Sequence, residues 1–374
     1  MSHFDCIILG GGGMGSATAY QLTKRGHRVL LLEQFAAAHD RGSSHGETRV
    51  IRKAYFEHPD YVPLLRRAYQ LWSELEEVCG KRLYYQTGLL LAGPTNGEVI
   101  VGAQLASATH AVPLDHLTES DLQSFPGFQI PEELTVLLEP EAGYLLVEQC
   151  VSEYLQAATR AGCEVHTNER VLHWSSDDRG VAVQTTRAHY QASSLVITAG
   201  AWSASFLPAA VPLRVLRKAL AWHQIRAESE HTYINGPVFL FQMNHGAFYG
   251  FPSIDGATVK VAEHSGGDLI DHPQMLDRQW TPCDTEPVSA FVRQVMPGLN
   301  HTASRGSICM YTMTPDEHFI VDEHPQYSNV HVAAGFSGHG YKFASVIGEI
   351  LADRVEGVTT VVEADFLRLQ GRFR

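Results

Sequence analysis

The first 33 residues constrain this chain most tightly. An apolar run, Cys6-Ile-Ile-Leu9, leads directly into Gly10-Gly-Gly-Gly-Met-Gly15. A stretch with an apolar helical face, carrying Ala17, Ala19, Tyr20 and Leu22, follows over residues 16–25. Gly26 stands where a helix-ending glycine belongs. Arg28-Val-Leu-Leu-Leu-Glu33 then reads as a buried parallel strand, from its unbroken apolar run. The whole is a βαβ unit with Gly10, Gly12 and Gly15 at GxGxxG spacing. Gly10 permits the tight turn, Gly12 lets backbone approach a pyrophosphate, and Gly15 lets helix and strand pack closely. The helix N-terminus offers its partial positive charge to the phosphates. Glu33 closes the second strand, where a carboxylate can accept hydrogen bonds from ribose hydroxyls. The motif implies a dinucleotide without separating NAD from FAD.

The rest of the composition narrows the setting. At 374 residues the chain can hold two domains without metal or disulfide staples. A formal net charge of -13 opposes general attraction to nucleic acid or anionic lipid. No apolar run reaches the ~20 residues of a membrane span. The six cysteines form no CxxC pair, and the start lacks a secretory pattern, so a reduced, cytoplasmic chain is expected. Histidines are numerous, yet no HExxH and no compact metal-spaced cluster occurs, so no metal is expected.

Further elements follow from periodicity. Residues 61–78 form the clearest helix, with Pro63 in the first turn and Leu64, Leu65, Ala68, Leu71, Trp72, Leu75 and Val78 at helical spacing. Short strands are expected at 89–91, 133–138 and 145–147, and a helix over 149–160. A hairpin joins 172–174 and 181–185 through Asp177-Asp-Arg-Gly180. Residues 194–198 and 330–334 read as buried strands, and 248–251 and 258–262 as half-buried ones. Gly335 to Gly340 form a glycine loop ahead of a helix over 342–355.

Directly after the βαβ unit comes Gly42-Ser-Ser-His-Gly-Glu-Thr-Arg49-Val-Ile-Arg52, a polar loop with two arginines. In flavoproteins such a segment passes near the flavin, which favours FAD over NAD. With Tyr249-Gly-Phe-Pro252, Cys309-Met-Tyr-Thr-Met-Thr-Pro-Asp-Glu-His-Phe319 and Gly335-Phe-Ser-Gly-His-Gly-Tyr-Lys-Phe343, the chain resembles the monomeric sarcosine oxidase and N-methyltryptophan oxidase family of FAD-dependent amine oxidases. The resemblance covers essentially the whole sequence.

The resemblance implies roles that the residue types can support. Cys309 would carry the flavin covalently, which needs a thiolate. Arg52 and Lys342 would hold a substrate carboxylate, one as a fork and the other as a point charge. Lys260 would promote electron transfer to oxygen as a fixed cation, although a lysine in a strand can equally face solvent. Tyr249 and His264 would line the substrate cavity; core packing is the plainer reading of each. Ser43, His45, Arg49, Val171, Gly338 and Gly340, with Lys342, would lie around the cofactor.

The expected fold is α/β: a Rossmann-like FAD-binding domain from 1–83, 145–216 and 316–374, interwoven with a mixed-sheet substrate domain from 84–144 and 217–315. Its helices are expected on one face of that sheet. The expected partners are a small amino acid and O2, and the expected state a monomer. The implied reaction is oxidation of a secondary N-methyl amino acid, yielding hydrogen peroxide and formaldehyde. N-methyltryptophan, a cyclic imino acid such as proline or pipecolate, or a non-oxygen acceptor are alternatives. A non-catalytic flavin-binding protein is a remoter one, disfavoured by the paired cations Arg52 and Lys342.

Overall fold

The structure is a computed structural model and describes residues 3–209, 211–229, 231–369 and 372–373. Its βαβ unit runs through strand His3–Leu9, helix Gly13–Lys24 and strand Val29–Leu32. His3–Leu9 pairs in parallel with Val29–Leu32 on one side and His189–Ile197 on the other. Parallel pairing extends to Glu164–His166 at one end and Tyr327–Ala334 at the other. The hairpin Val171–Asp177 and Gly180–Thr185, with antiparallel Ile320–His324, completes eight strands. Cys6 to Leu9 and Val29 to Leu32 are buried throughout, as a sheet covered on both faces requires. Helix Gly13–Lys24 packs between helices Val147–Arg160 and Ala344–Glu356.

A second sheet has nine strands and is mixed. Its one parallel pairing among the described residues joins Val238–Met243 to Leu89–Gly93. The long strand Arg214–Gln224 pairs with Thr258–Glu263, Asp268–Ile270 and Arg305–Met313, and starts just before the expected boundary at 217. A three-stranded sheet of Thr48–Ile51, Gly143–Leu146 and Tyr84–Gln86 lies where the chain passes between the halves.

Two expectations about the mixed sheet need correction. Its helices occupy both faces. Glu286–Val295 packs on the side of Leu90, Phe239, Phe241 and Phe248, whereas Glu98–His110 packs on the side of Leu89 and Leu91. The unbroken run Leu89-Leu-Leu-Ala92 explains this, since apolar residues of both parities demand cover on both faces. Strands Gly246–Gly250 and Thr258–Glu263 are likewise not half-buried; Phe248, Tyr249 and Val259 to Ala262 are all shielded.

This burial fixes where side chains point. The two-residue period sends Val259 and Val261 toward the Phe291 cluster, and Lys260 with Ala262 toward the dinucleotide half. Tyr249, Trp222 and Cys309 share that second face. One side of the mixed sheet therefore forms a wall facing the glycine-rich strand ends.

Helix boundaries differ modestly. Helix Tyr61–Cys79 ends at Gly80 with φ +66°, and its late Val78 is half exposed because the last turn runs past the core. Lys342 sits in a 3-10 turn, Tyr341–Phe343, ahead of the α-helix rather than inside it.

Candidate active site

A cavity of about 440 Å³ opens at the carboxyl ends of the parallel strands, where open α/β sheets bind ligands. Gly10 holds φ +98°, and a Cβ there would lie 2.5 Å from the Thr198 carbonyl oxygen. A Cβ on Gly15 would lie 1.8 Å from the Gly10 oxygen, so this glycine serves packing and stands behind the cavity. Gly12, the N-cap residue of its helix, has no side chain to cap that end, and Ser44 Oγ accepts from Gly13 N at 3.2 Å. The following N–H groups of the first turn remain available to an anion. Glu33 lines the cavity and accepts hydrogen bonds from Gly11 N at 2.8 Å and Phe35 N at 2.8 Å. His39 Nε2 also lies 3.2 Å from Oε1, so roughly one of a carboxylate's four acceptor sites remains for a ligand.

Val171, Ser43, Arg49, Gly338 and Gly340 also line this cavity. So do Glu169, Thr198 to Trp202, His272 and Gln274, which the sequence reading did not assign to it. The strand–turn ending at Thr198 was legible as structure, but nothing in Ala199-Gly-Ala-Trp202 marks a ligand.

Behind Arg49 and Met310 of the cavity wall lies an electropositive patch around a cysteine; neither Cys309 nor His45 lines the cavity itself. Cys309 lies on strand Arg305–Met313, 1% exposed, with Arg49 Nη2 at 3.6 Å from its sulfur. Burial alone would raise its pKa, but His45 beside it, and then Arg49, bring it down to about 6. It is therefore a thiolate at neutral pH. Cys163, by contrast, is pushed by burial to about 11. Nε2 of His45 is buried without a hydrogen-bond partner, as expected of a group whose partner is the bound cofactor. Arg49 is held by the Ser43 carbonyl at 2.8 Å and the Thr48 carbonyl at 2.8 Å. A glycine-cradled helix end, an acid at a strand end and a thiolate form a donor set that fits FAD.

The remaining candidate residues lie beyond the cavity lining. Lys260 is 4% exposed, which removes the solvent-facing reading. Its ammonium donates to the Gly46 and Thr48 carbonyls at 2.5 and 2.9 Å. Burial, with Arg49 adding to it, pushes its pKa well below the ordinary lysine range. Glu148, which the sequence reading missed, fixes that same loop by accepting Gly46 N at 2.6 Å and Glu47 N at 3.1 Å.

Arg52 and Lys342 both lie close to one aromatic ring. The Arg52 guanidinium lies 4.3 Å and the Lys342 ammonium 5.1 Å from the Tyr55 ring centre. Both cations are buried. Lys342 donates to the His339 carbonyl at 2.6 Å, and burial followed by the repulsion of Arg52 lowers its pKa to about 7. Arg52 is paired with Glu57, each carboxylate oxygen 2.6 Å from Nη2. Burial opposes ionisation of Glu57, but Arg52, His339 and Lys342 together hold it at about 2. Glu57 lay unmarked in the sequence, five residues past Arg52 in an ordinary loop.

Tyr249 and His264 come together with Tyr311. The Tyr311 hydroxyl approaches His264 Nδ1 at 3.5 Å, and the Tyr249 and His264 rings are 6.3 Å apart. Tyr311 lines the cavity and packs so closely on Gly338 that a Cβ there would fall 2.3 Å from its ring. Burial lowers His264 to about 4, so it is neutral at physiological pH.

A family model described as FAD dependent oxidoreductase matches residues 5–354. Monomeric sarcosine oxidase from Bacillus sp. (strain B-0618) is 38% identical over 94% of this chain and 92% of its own length. N-methyl-L-tryptophan oxidase from Yersinia pestis (strain Pestoides F) is 36% identical over 93% of this chain and 94% of its own. Among solved structures, the open form of NikD, an unusual amino acid oxidase essential for nikkomycin biosynthesis, is similar in fold. Its TM-score is 0.87 at 25% identity, covering 98% of each chain.

Proposed function

Because the chain belongs to the monomeric sarcosine oxidase and N-methyltryptophan oxidase family of FAD-dependent amine oxidases, we propose that it oxidises a small N-methyl amino acid, with FAD attached through Cys309. The observation that carries this reading is the buried cation pair Arg52 and Lys342, both close to one Tyr55 ring. Arg52 is paired with Glu57, whereas among the described residues no carboxylate lies within 4.0 Å of the Lys342 ammonium, which leaves a place there for one more anion. An amino-acid carboxylate supplies it.

In this reading the substrate carboxylate replaces Glu57 on Arg52 and adds Lys342 as its second partner. A bidentate guanidinium fixes the plane of that carboxylate, and thereby the direction of the N-methyl group. Neutral His264 and the Tyr249 and Tyr311 phenols border the amine without adding charge, so the amine can bind unprotonated. An ammonium nitrogen has no lone pair to support loss of hydride from the adjacent carbon, so activity should rise with pH as the amine deprotonates. FAD, when bound, would supply the two-electron acceptor between substrate and oxygen. Lys260, anchored on the Gly46 and Thr48 carbonyls, stabilises negative charge as it develops on oxygen. Water hydrolyses the released imine. Each turnover then converts N-methyl amino acid, O2 and water to primary amino acid, formaldehyde and hydrogen peroxide.

Among the described residues no helix is long and apolar enough to cross a membrane. We place the enzyme in the cytoplasm, acting as a monomer on a small substrate.

A substrate panel read for both peroxide and formaldehyde tests the reaction. Sarcosine-type substrates should give the two products in equal amounts. Proline or pipecolate would give peroxide without formaldehyde. Oxidation of a carboxylate-free N-methylamine as fast as its amino-acid counterpart would overturn the role of Arg52 and Lys342.

A further inference from the structure

We infer that Glu139 is a positioning residue for the substrate carboxylate, reaching from the mixed sheet to fix the turn that aims Arg52. This rests on the carboxylate site proposed above and adds a residue to it.

Glu139 is the last residue of strand Thr135–Glu139 and is 0% exposed. Among the described residues it has no ion-pair partner within 4.0 Å; its oxygens are taken instead by two successive peptide N–H groups. Lys53 N donates to Oε1 at 2.6 Å and Ala54 N to Oε2 at 3.0 Å. Those peptides immediately follow Arg52. The guanidinium turns back on the same segment, Nη1 donating to the Ala54 carbonyl at 3.1 Å. It also stacks 4.3 Å from the rings of both Tyr55 and Phe56. The carboxylate therefore holds residues 53–54, and residues 53–56 hold Arg52. A buried carboxylate is a costly way to satisfy two N–H groups, and its placement under the substrate-binding arginine gives that cost a purpose.

The charge state of Glu139 matters to this geometry. As a carboxylate it accepts both N–H bonds. Once protonated, one oxygen becomes a donor and faces another donor. The groups around it are Arg52 and Lys53 from the turn, Glu141 two residues on in the chain, Tyr69 from helix Tyr61–Cys79, Tyr84 from the short strand, and Lys342. Burial raises Glu139 to about 7, with the two N–H bonds, Arg52 and Lys53 limiting the rise. The clamp should therefore loosen as pH falls through neutrality. Lys342 changes in the other direction, losing its charge above about 7. Carboxylate affinity should peak between an acid limb set by Glu139 and an alkaline limb set by Lys342.

The test uses the flavin-loaded protein and acetate, which stays ionised from pH 6 to 9. Binding is read from the flavin absorbance difference spectrum, so turnover is not required. Lys342 gains charge over the same range, so the signal is the ratio of unaltered to Glu139→Gln affinity, which should fall several-fold from pH 7.5 to pH 6. Glu139→Gln keeps one acceptor and points an NH2 at the other N–H. It should bind acetate at least tenfold more weakly at pH 8, lose the acid limb and retain the alkaline one. Its KM for the amino-acid substrate should rise by a similar factor with kcat within about twofold. Acetate affinity within twofold of wild type at pH 8 would overturn the inference. Should the variant fold poorly, Lys342→Arg, whose charge is constant over this range, isolates the acid limb, and an affinity there that stays level from pH 7.5 to pH 6 overturns it equally. If unaltered protein binds no acetate at any pH, the carboxylate site itself is wrong, a different failure from an indifferent Glu139.

Discussion

Replacing His45 by Asn should disable the thiolate at Cys309 without removing the cysteine. Cys309 stands at about 6 against an ordinary value of 9.0, because His45, and after it Arg49, outweigh burial. At pH 7 a thiol of pKa 6 is roughly nine-tenths thiolate, and one returned to 9.0 is roughly one-hundredth thiolate. The reactive fraction would fall roughly 90-fold. A more basic thiolate is also a better nucleophile; with a Brønsted slope near 0.45, three units return a factor of about 20. The net loss at pH 7 is then only about fivefold, too small to carry the conclusion. The pH dependence is the sharper readout. Apoprotein supplied with FAD would be acid-precipitated at intervals, and flavin retained in the pellet followed from pH 5 to pH 9. A lowered thiol pKa means the thiolate form is lost as pH falls through it. The wild-type attachment rate should therefore rise through about pH 6 and then level. In His45→Asn the rate should still be climbing above pH 8. If the variant retains a midpoint near 6 while binding FAD normally, His45 does not activate the thiol.

Two further substitutions probe other parts of the site. Lys260→Met should slow reoxidation of reduced enzyme by oxygen by about 10²-fold or more, the scale of removing a preorganised electrostatic stabiliser. Reduction by substrate under anaerobic stopped flow should change far less, and equal loss in both half-reactions would contradict the role. Gly15→Ala places a Cβ 1.8 Å from the Gly10 oxygen and 2.6 Å from Thr198 Oγ1. It should cost about 1–3 kcal/mol or more, seen as a lower melting temperature and reduced FAD retention; an unchanged melting temperature would show that helix and strand need not approach so closely.

The dinucleotide half was legible because it is built from local signals. The apolar run at Cys6, the glycines and Glu33 lie within one βαβ unit, and each has a single conformational reason to be there. Helix Tyr61–Cys79 was equally plain, having a long apolar stripe and Gly80 at its end. The mixed sheet was harder. Strands Arg214–Gln224 and Arg305–Met313 pair across more than eighty residues, and their register is set by the partner rather than by local pattern. Apolar residues on both faces of Leu89–Gly93 hide the two-residue period that would identify a strand with one wet side. Gly246–Gly250 and Thr258–Glu263 looked half-buried for the opposite reason: they alternate, but the polar position Lys260 is buried against the Gly46 and Thr48 carbonyls.

Legibility of the site divides along charge. Its cations, Arg49, Arg52, Lys260 and Lys342, stand in extended motifs that the family resemblance picks out. Its carboxylates do not. Glu57, Glu139 and Glu148 come from a loop, a strand end and a helix start, with no shared spacing. Buried cations nevertheless require such partners, since each uncompensated charge in a low-dielectric interior is strongly unfavourable. The three acids do different work. Glu57 answers Arg52 directly, whereas Glu139 and Glu148 bind peptide N–H groups and act on Arg52 and Lys260 through the backbone those side chains depend on. A carboxylate on backbone N–H groups leaves the neighbouring cation free for an incoming anion; a carboxylate on the cation itself must be displaced. In the proposed carboxylate site, Glu57 is thus the one acid of the three whose contact would have to break when a substrate carboxylate arrives.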